Sequence, residues 1–418
     1  MNNVASGDAH QSRALWLSTV AFTICFAVWM IFAIIGIEIQ KELGLNNFEF
    51  ALLAGLPVLS GSLIRLMLGV WTDQYGGRPV FTAVMLTAAV ATYAVTWAHT
   101  YPQYLIASLC VGVAGGSFAV GIAYVSRFYE QGKQGLALGI FGAGNVGAAF
   151  TKFLAPYVQV AWGWHWVAYI WAAVIGLMGL IFWFFSEDDP VVRGRREKQQ
   201  KSPSSTNEYA VLRNVQVWRF SLYYFYVFGA FVALSLWLPK YLIANYHIDI
   251  RTAGMIAAAF SFPASVFRAY GGYLSDRYGA RSVMYWCLGV GAVASLVLSV
   301  ATNFGGTNLE MGVYFFTVVV FILGFFMALG KAAVYKHIPV YYPKSVGAVG
   351  GLVGMMGGLG GFVLPLAFGA LLDWTKLPTS CFMLVFVVVA GSLIWMHLAI
   401  PGVDNAKRKT LTKEIQHA

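Results

Sequence analysis

The chain reads as long apolar runs broken by short polar turns. Twelve runs stand out, at about 15–37, 50–72, 79–98, 102–125, 135–158, 165–186, 218–243, 253–274, 282–302, 312–334, 346–371 and 378–400. About 20 apolar residues cross a bilayer as a helix. Strands of a membrane barrel would alternate polar and apolar over about ten residues, and these runs do not alternate. The pattern therefore predicts an all-α membrane protein with twelve transmembrane helices. The longest polar stretch, at about 187–217 ("EDDPVVRGRREKQQKSPSSTNEY…"), carries Pro, Ser and many charges without apolar periodicity. That composition predicts a flexible linker. The expected plan is a six-helix bundle over 1–186, the linker over 187–217, a second six-helix bundle over 218–402 and a tail over 403–418.

The two halves repeat one another. "SLIRLMLGVWTDQYGGRP" (62–79) and "SVFRAYGGYLSDRYGARS" (265–282) align at a constant offset of 203. This pairs Arg65 with Arg268, Gly69 with Gly272, Asp73 with Asp276, Tyr75 with Tyr278, Gly76 with Gly279 and Arg78 with Arg281. Glycine-rich runs, "GIFGAGNVGAAF" (139–150) and "GLVGMMGGLGGF" (351–362), fall in the fifth predicted helix of each half. Two parallel six-helix repeats are a known transporter plan, so the bundles are expected to be pseudo-symmetric.

Composition agrees with lipid as the main solvent: 59% of the 418 residues are hydrophobic and 11% are charged, with a mean hydropathy of +0.68. The leader "MNNVASGDAH" has no basic segment and no small-residue cleavage site, so the first run is expected to be a retained span. With the N-terminus inside, the inner loops hold most of the 27 basic residues, among them Arg78, Arg127, Arg193, Arg195, Arg196 and Arg281. The positive-inside rule then predicts both termini in the cytoplasm. It also makes the net charge of +10 a matter of topology and anionic lipid, not of nucleic acid. Cys25, Cys110, Cys287 and Cys381 lie far apart inside apolar runs, and the seven histidines form no i,i+4 pairs. Neither set has a metal or disulfide spacing, and no cofactor motif, phosphate loop or nucleophile motif is present, so no enzyme chemistry is expected.

"GVWTDQYGGRP" and "GYLSDRYGARS" resemble the G-x-x-x-D-x-x-G-x-R signature of the major facilitator superfamily. "GAGNVGAAFTKFLAP" and "GMMGGLGGFVLP" resemble the paired glycine signatures of its nitrate/nitrite porter (NarK-type) family. The resemblance implies alternating access, nitrate or nitrite as cargo, and a functional monomer in the cytoplasmic (inner) membrane. It adds Phe118 in helix 4 and Tyr224 and Phe228 in helix 7 as walls of the substrate site. Gly142, Gly144, Gly147, Gly357, Gly358 and Gly360 are the signature glycines. Close helix packing is the ordinary use of such small residues.

Charge at membrane depth locates the chemistry. By the expected boundaries Arg65, Lys152, Arg268 and Lys331 lie within spans, and no Asp or Glu lies near the middle of one. Each arginine costs on the order of 2.5–3.5 kcal/mol at the bilayer centre. Cations without a protein carboxylate call for an anion from outside. Guanidinium forks suit a small planar oxyanion. The amide of Asn145 is a further candidate donor. Asp73, Arg78, Asp276 and Arg281 are expected to latch the cytoplasmic side when the protein opens outward. Lys152 and Lys331 either snorkel to an interface or line the anion route and titrate. The combined expectation is nitrate import, with proton symport as the main reading. Nitrate/nitrite exchange, transport of formate or another carboxylate, and a non-transporting anion sensor are the alternatives.

Overall fold

The helix boundaries follow from local chemistry. In the computed structural model, which describes residues 2–129, 134–188, 194, 214–300, 312–341 and 346–416, Asn46 caps the second helix. Its side chain accepts from the Glu49 amide and Glu49 returns the bond to the Asn46 amide. Thr100 and Gln103 form the same reciprocal box at the fourth helix, and Asp249 accepts from the amides of Arg251 and Thr252 at the eighth. Each satisfies amides that a helix start leaves unpaired. Gly76 and Gly279, paired by the repeat, hold φ of 96° and 81°, values open to glycine at little cost. They let consecutive spans reverse over a single residue.

The helices are α1, running Asn2–Trp29 and on through a tight turn Ile31–Ala33 into Ile35–Leu43; α2, Asn47–Tyr75; α3, Gly77–Ala94; α4, Tyr101–Ser126; α5, Ala137–Trp162; α6, Trp164–Phe185; and α7, Val215–Tyr246. Then come α8, Ile250–Val266 followed by Arg268–Tyr278; α9, Ala280–Val300; α10, Val313–Tyr341; α11, Val346–Thr375; and α12, Ser380–Gln416. Eleven are long and apolar enough to cross a membrane, and twelve if the two pieces of α8, bent by 43°, count as one span. This is the expected all-helical plan. The expected linker and the end of the tail lie largely outside the described residues. Both termini share one end of the bundle, called here the terminal face; the opposite end is the far face.

The halves meet along two helix pairs. α2 packs on α11, with Gly55 against Phe362, Gly361 against Val58 and Gly369 against the Asn47 backbone. α5 packs on α8, where Gly254 abuts Lys152 and Pro156. Small residues allow this approach because lipid supplies no hydrophobic drive between helices. At the far face a polar clasp crosses the seam. Asn47 of α2 accepts from Lys240 of α7 (2.6 Å) and donates to Asp373 of α11 (2.5 Å). The second oxygen of Asp373 accepts from the Phe48 amide at 3.1 Å. Lys240 lies in α7, over the Phe50 and Trp237 rings. The far face is therefore held shut.

Four helices lose regularity at mid-depth. α4 tightens over Gly112–Gly116, α5 over Ala143–Val146, α7 widens into a π turn over Phe225–Ala230, and α8 bends at Phe267. Irregular backbone at this depth is tolerated where protein or a cavity surrounds it.

Candidate functional site

These irregular segments surround the two arginines. Arg65 of α2 donates from Nε to the Gly115 carbonyl in the tight turn of α4 (3.2 Å). Its guanidinium carbon lies 5.5 Å from the Trp29 ring, 5.4 Å from Phe118 and 5.9 Å from Phe228. Arg268 begins the second piece of α8 and is 7% exposed. Its guanidinium carbon lies 5.9 Å from Phe118 and 5.7 Å from Tyr335. One ring, Phe118, thus serves an arginine from each half. An aromatic face attracts a cation through its quadrupole without engaging the N–H edge. Among the described residues Nη1 of Arg268 has no hydrogen-bond partner, and no ion pair joins Arg65, Arg268, Lys152 or Lys331 to an Asp or Glu.

Tyr224 and Phe228, expected as walls, lie beside this pair of arginines. Tyr224 and Phe228 stack at 5.2 Å with their planes 7° apart, and Tyr335 meets Tyr224 edge-on at 5.0 Å. Asn145 lies on the tight turn of α5, 1% exposed, and among the described residues neither amide atom has a hydrogen-bond partner. A buried unpaired polar group costs about 1–3 kcal/mol, so this amide is a costly group at that depth. The signature glycines divide by role. Gly142 leaves room beside Arg268, since a methyl there would stand 3.1 Å from Nη1, and a methyl on Gly358 would collide with Ser62 and stand 3.7 Å from Arg65 Nη1. Gly144 and Gly147 let α5 touch α1 at Phe22 and Thr23, while Gly357 and Gly360 seat the Tyr224 and Phe225 rings.

Both lysines turn inward and neither snorkels. Lys152 is wholly buried and donates to Ser261 Oγ across the seam at 2.5 Å. Lys331 is wholly buried, donates to the Ala264 carbonyl at 2.8 Å and lies 3.2 Å over the Phe231 ring. The partners Ser261 and Ala264 and the side chain of Arg268 follow one another at helical spacing along α8. The three cations therefore form a ladder from the central site toward the far face.

Of the four residues expected to form a latch, Arg78 and Asp276 have partners within their own halves. Arg78 donates to the Trp183 carbonyl at the end of α6 (2.6 and 2.9 Å) and lies 3.4 Å from Asp188. Asp276 pairs with Lys336 of α10, Arg281 begins α9, and the side chain of Asp73 is outside the described residues. The sequence reading missed Trp29, Tyr335 and Phe231. Tyr335 follows Lys331 by four residues, and that one-turn spacing was the available signal for it.

The model of the Major Facilitator Superfamily matches residues 17–249 and 240–417. "Probable nitrate/nitrite antiporter NarK1" of Thermus thermophilus is 44% identical, covering 97% of this chain and 94% of the relative. "Nitrite extrusion protein" of Bacillus subtilis (strain 168) is 28% identical, covering 93% and 95%, and "Probable nitrate transporter NarT" of Staphylococcus haemolyticus (strain JCSC1435) is 28% identical over 91% and 95%. A solved bacterial homolog of the human lysosomal transporter Spinster, in an inward-facing and occupied conformation, has a TM-score of 0.66 at 15% identity, covering 93% of each chain, and so shares the fold. With two matched halves, the repeated signature and a relative at this identity over nearly the whole length, the chain belongs to the nitrate/nitrite porter family of the major facilitator superfamily.

Proposed function

We propose that this protein imports nitrate across the cytoplasmic membrane by alternating access, with the terminal face in the cytoplasm, and that the anion moves with protons. The observation that carries the reading is the pair of guanidinium groups, one from each half, held by a shared Phe118 ring with no carboxylate partner among the described residues. A flat oxyanion between them receives N–H donors from both halves, with the Asn145 amide as a further donor and the Phe118, Tyr224 and Phe228 rings against its faces. Binding then draws the halves together, because the anion offsets the repulsion of the two arginines. A ligand shifts a conformational equilibrium only through such differential contact. In the outward-open state Asp73, Arg78, Asp276 and Arg281 make contacts across the cytoplasmic seam, Arg78 and Asp276 giving up their present partners.

Proton coupling rests on Lys152 and Lys331. Among the described residues both are buried without a carboxylate partner, and both bond to α8 close to Arg268, so an anion and a proton in this space favour each other's binding. Exchange of nitrate for nitrite is the second reading, favoured by the name carried by the Thermus thermophilus relative. The protein is expected to work as a monomer.

The test is nitrate uptake into proteoliposomes, with and without an inward proton gradient and with and without nitrite inside. Uptake driven by the gradient without internal nitrite, lost in Arg65→Lys and Arg268→Lys and uncoupled from the gradient in Lys152→Met or Lys331→Met, supports symport. Uptake that needs internal nitrite and ignores the gradient makes the protein an exchanger. Full activity in both arginine variants overturns the site.

A further inference from the structure

We infer that Tyr335 is a positioning residue that joins the anion site to the glycine-rich helix α11, its ring holding Arg268 and its hydroxyl tethering α10 to α11. The inference rests on the anion-site reading above and extends it to a residue outside the family signatures. Two independent contacts carry it. The Tyr335 ring supports the guanidinium of Arg268 at 5.7 Å and meets Tyr224 edge-on at 5.0 Å. The Tyr335 hydroxyl donates to the Gly350 carbonyl of α11 at 3.1 Å. The glycine run leaves space for this: a methyl on Gly354 would stand 2.8 Å from the Tyr335 hydroxyl oxygen, and one on Gly350 would stand 3.6 Å from the ring.

Arg268 has few other restraints. Its Nη1 has no partner among the described residues, and its supports are the faces of Phe118 and Tyr335. Removing one of two faces frees the guanidinium to adopt rotamers that no longer present its fork to the anion. The hydroxyl acts on a different step. α11 packs along α2 of the opposite half, so it must shift relative to α2 whenever the far face opens. A phenol anchored on its backbone passes a displacement of Arg268 to that seam.

The experiment separates the two contacts on one preparation of each variant. Nitrate binding is measured by calorimetry on the purified full-length protein, and uptake is measured in proteoliposomes. Tyr335→Phe keeps the ring and loses the tether: Kd stays within about 2-fold and maximal uptake falls at least 5-fold. Tyr335→Leu loses the ring: Kd weakens about 10-fold, and Tyr335→Trp restores much of the binding. Tyr335→Phe with unchanged uptake overturns the tether, and Tyr335→Leu with unchanged Kd overturns the positioning role. Melting temperatures within a few degrees of the parent show that each variant is folded. A parent protein that fails to bind nitrate at all refutes the anion-site reading itself, a result distinct from either failure at Tyr335.

Discussion

Replacing Asp373 with alanine tests whether the far-face clasp keeps the halves together. The substitution removes the bond from Asn47 (2.5 Å) and the bond from the Phe48 amide (3.1 Å), and takes a negative charge from the N-terminus of α2. Hydrogen bonds to a charged group contribute about 1.5–3 kcal/mol each when buried, and a charge at a helix N-terminus about 0.3–1 kcal/mol. Asp373 is half-buried, so solvent screens both contributions. The whole then comes to about 2 kcal/mol, or roughly a 30-fold larger far-face-open population. Val58 is fully buried against Gly361 at the seam. A single cysteine there, in a background freed of the four native cysteines, reports opening through its reaction with a membrane-impermeant maleimide applied from the far face. Labelling should accelerate about 30-fold in Asp373→Ala. Asn47→Ala should accelerate it comparably, and the double variant should fall well short of the product, because the two residues share a bond. Acceleration below about 3-fold in both single variants would mean that apolar packing alone closes this face.

Three further outcomes follow from named contacts. Asn145→Ala should weaken nitrate binding about 10-fold in calorimetry while leaving the melting temperature unchanged or higher, since the lost amide makes no hydrogen bond among the described residues; a lower melting temperature would show that it has a structural partner. Gly142→Ala should also weaken binding, because its methyl stands 3.1 Å from Arg268 Nη1, whereas Gly147→Ala meets the α1 backbone and should reduce the yield of folded protein; equal binding in the parent and Gly142→Ala would refute the first claim. Hydrogen bonds from Thr252 and Arg251 hold the Asp249 carboxyl below its usual range, so its cap stabilises α8 above the ordinary aspartate value near 3.9 and fades as pH falls through the lower folded value. Asp249→Ala should therefore melt below the parent at pH 7, and the gap should close in strong acid.

The architecture was written in the chain at the level of spans and repeats. Length and hydropathy alone marked the helices, and the constant offset between Arg65 and Arg268 announced their symmetric placement before any distance was known. Side-chain direction was not legible. Lys152 and Lys331 lie toward opposite ends of their helices, where a long aliphatic stem reaches either the interface or the interior. The choice depends on which helix covers that face, and the packing of α5 on α8 and the carbonyl at Ala264 decide it. Tyr335 was hidden by composition, since in a chain that is 16% aromatic a ring becomes significant only once its neighbour is known.

The holding of arginines by rings has a kinetic consequence. A carboxylate partner would take back the freed N–H groups each time cargo left; an aromatic face cannot. After release those donors are satisfied by water, so emptying the site is also a wetting event. In the proposed import cycle the unloaded protein would have to shed that water to turn back toward the outside, while several positive charges stay in the interior. The unloaded return becomes the slow stroke of the cycle, and anion supplied on the receiving side, by taking the place of water, should shorten it.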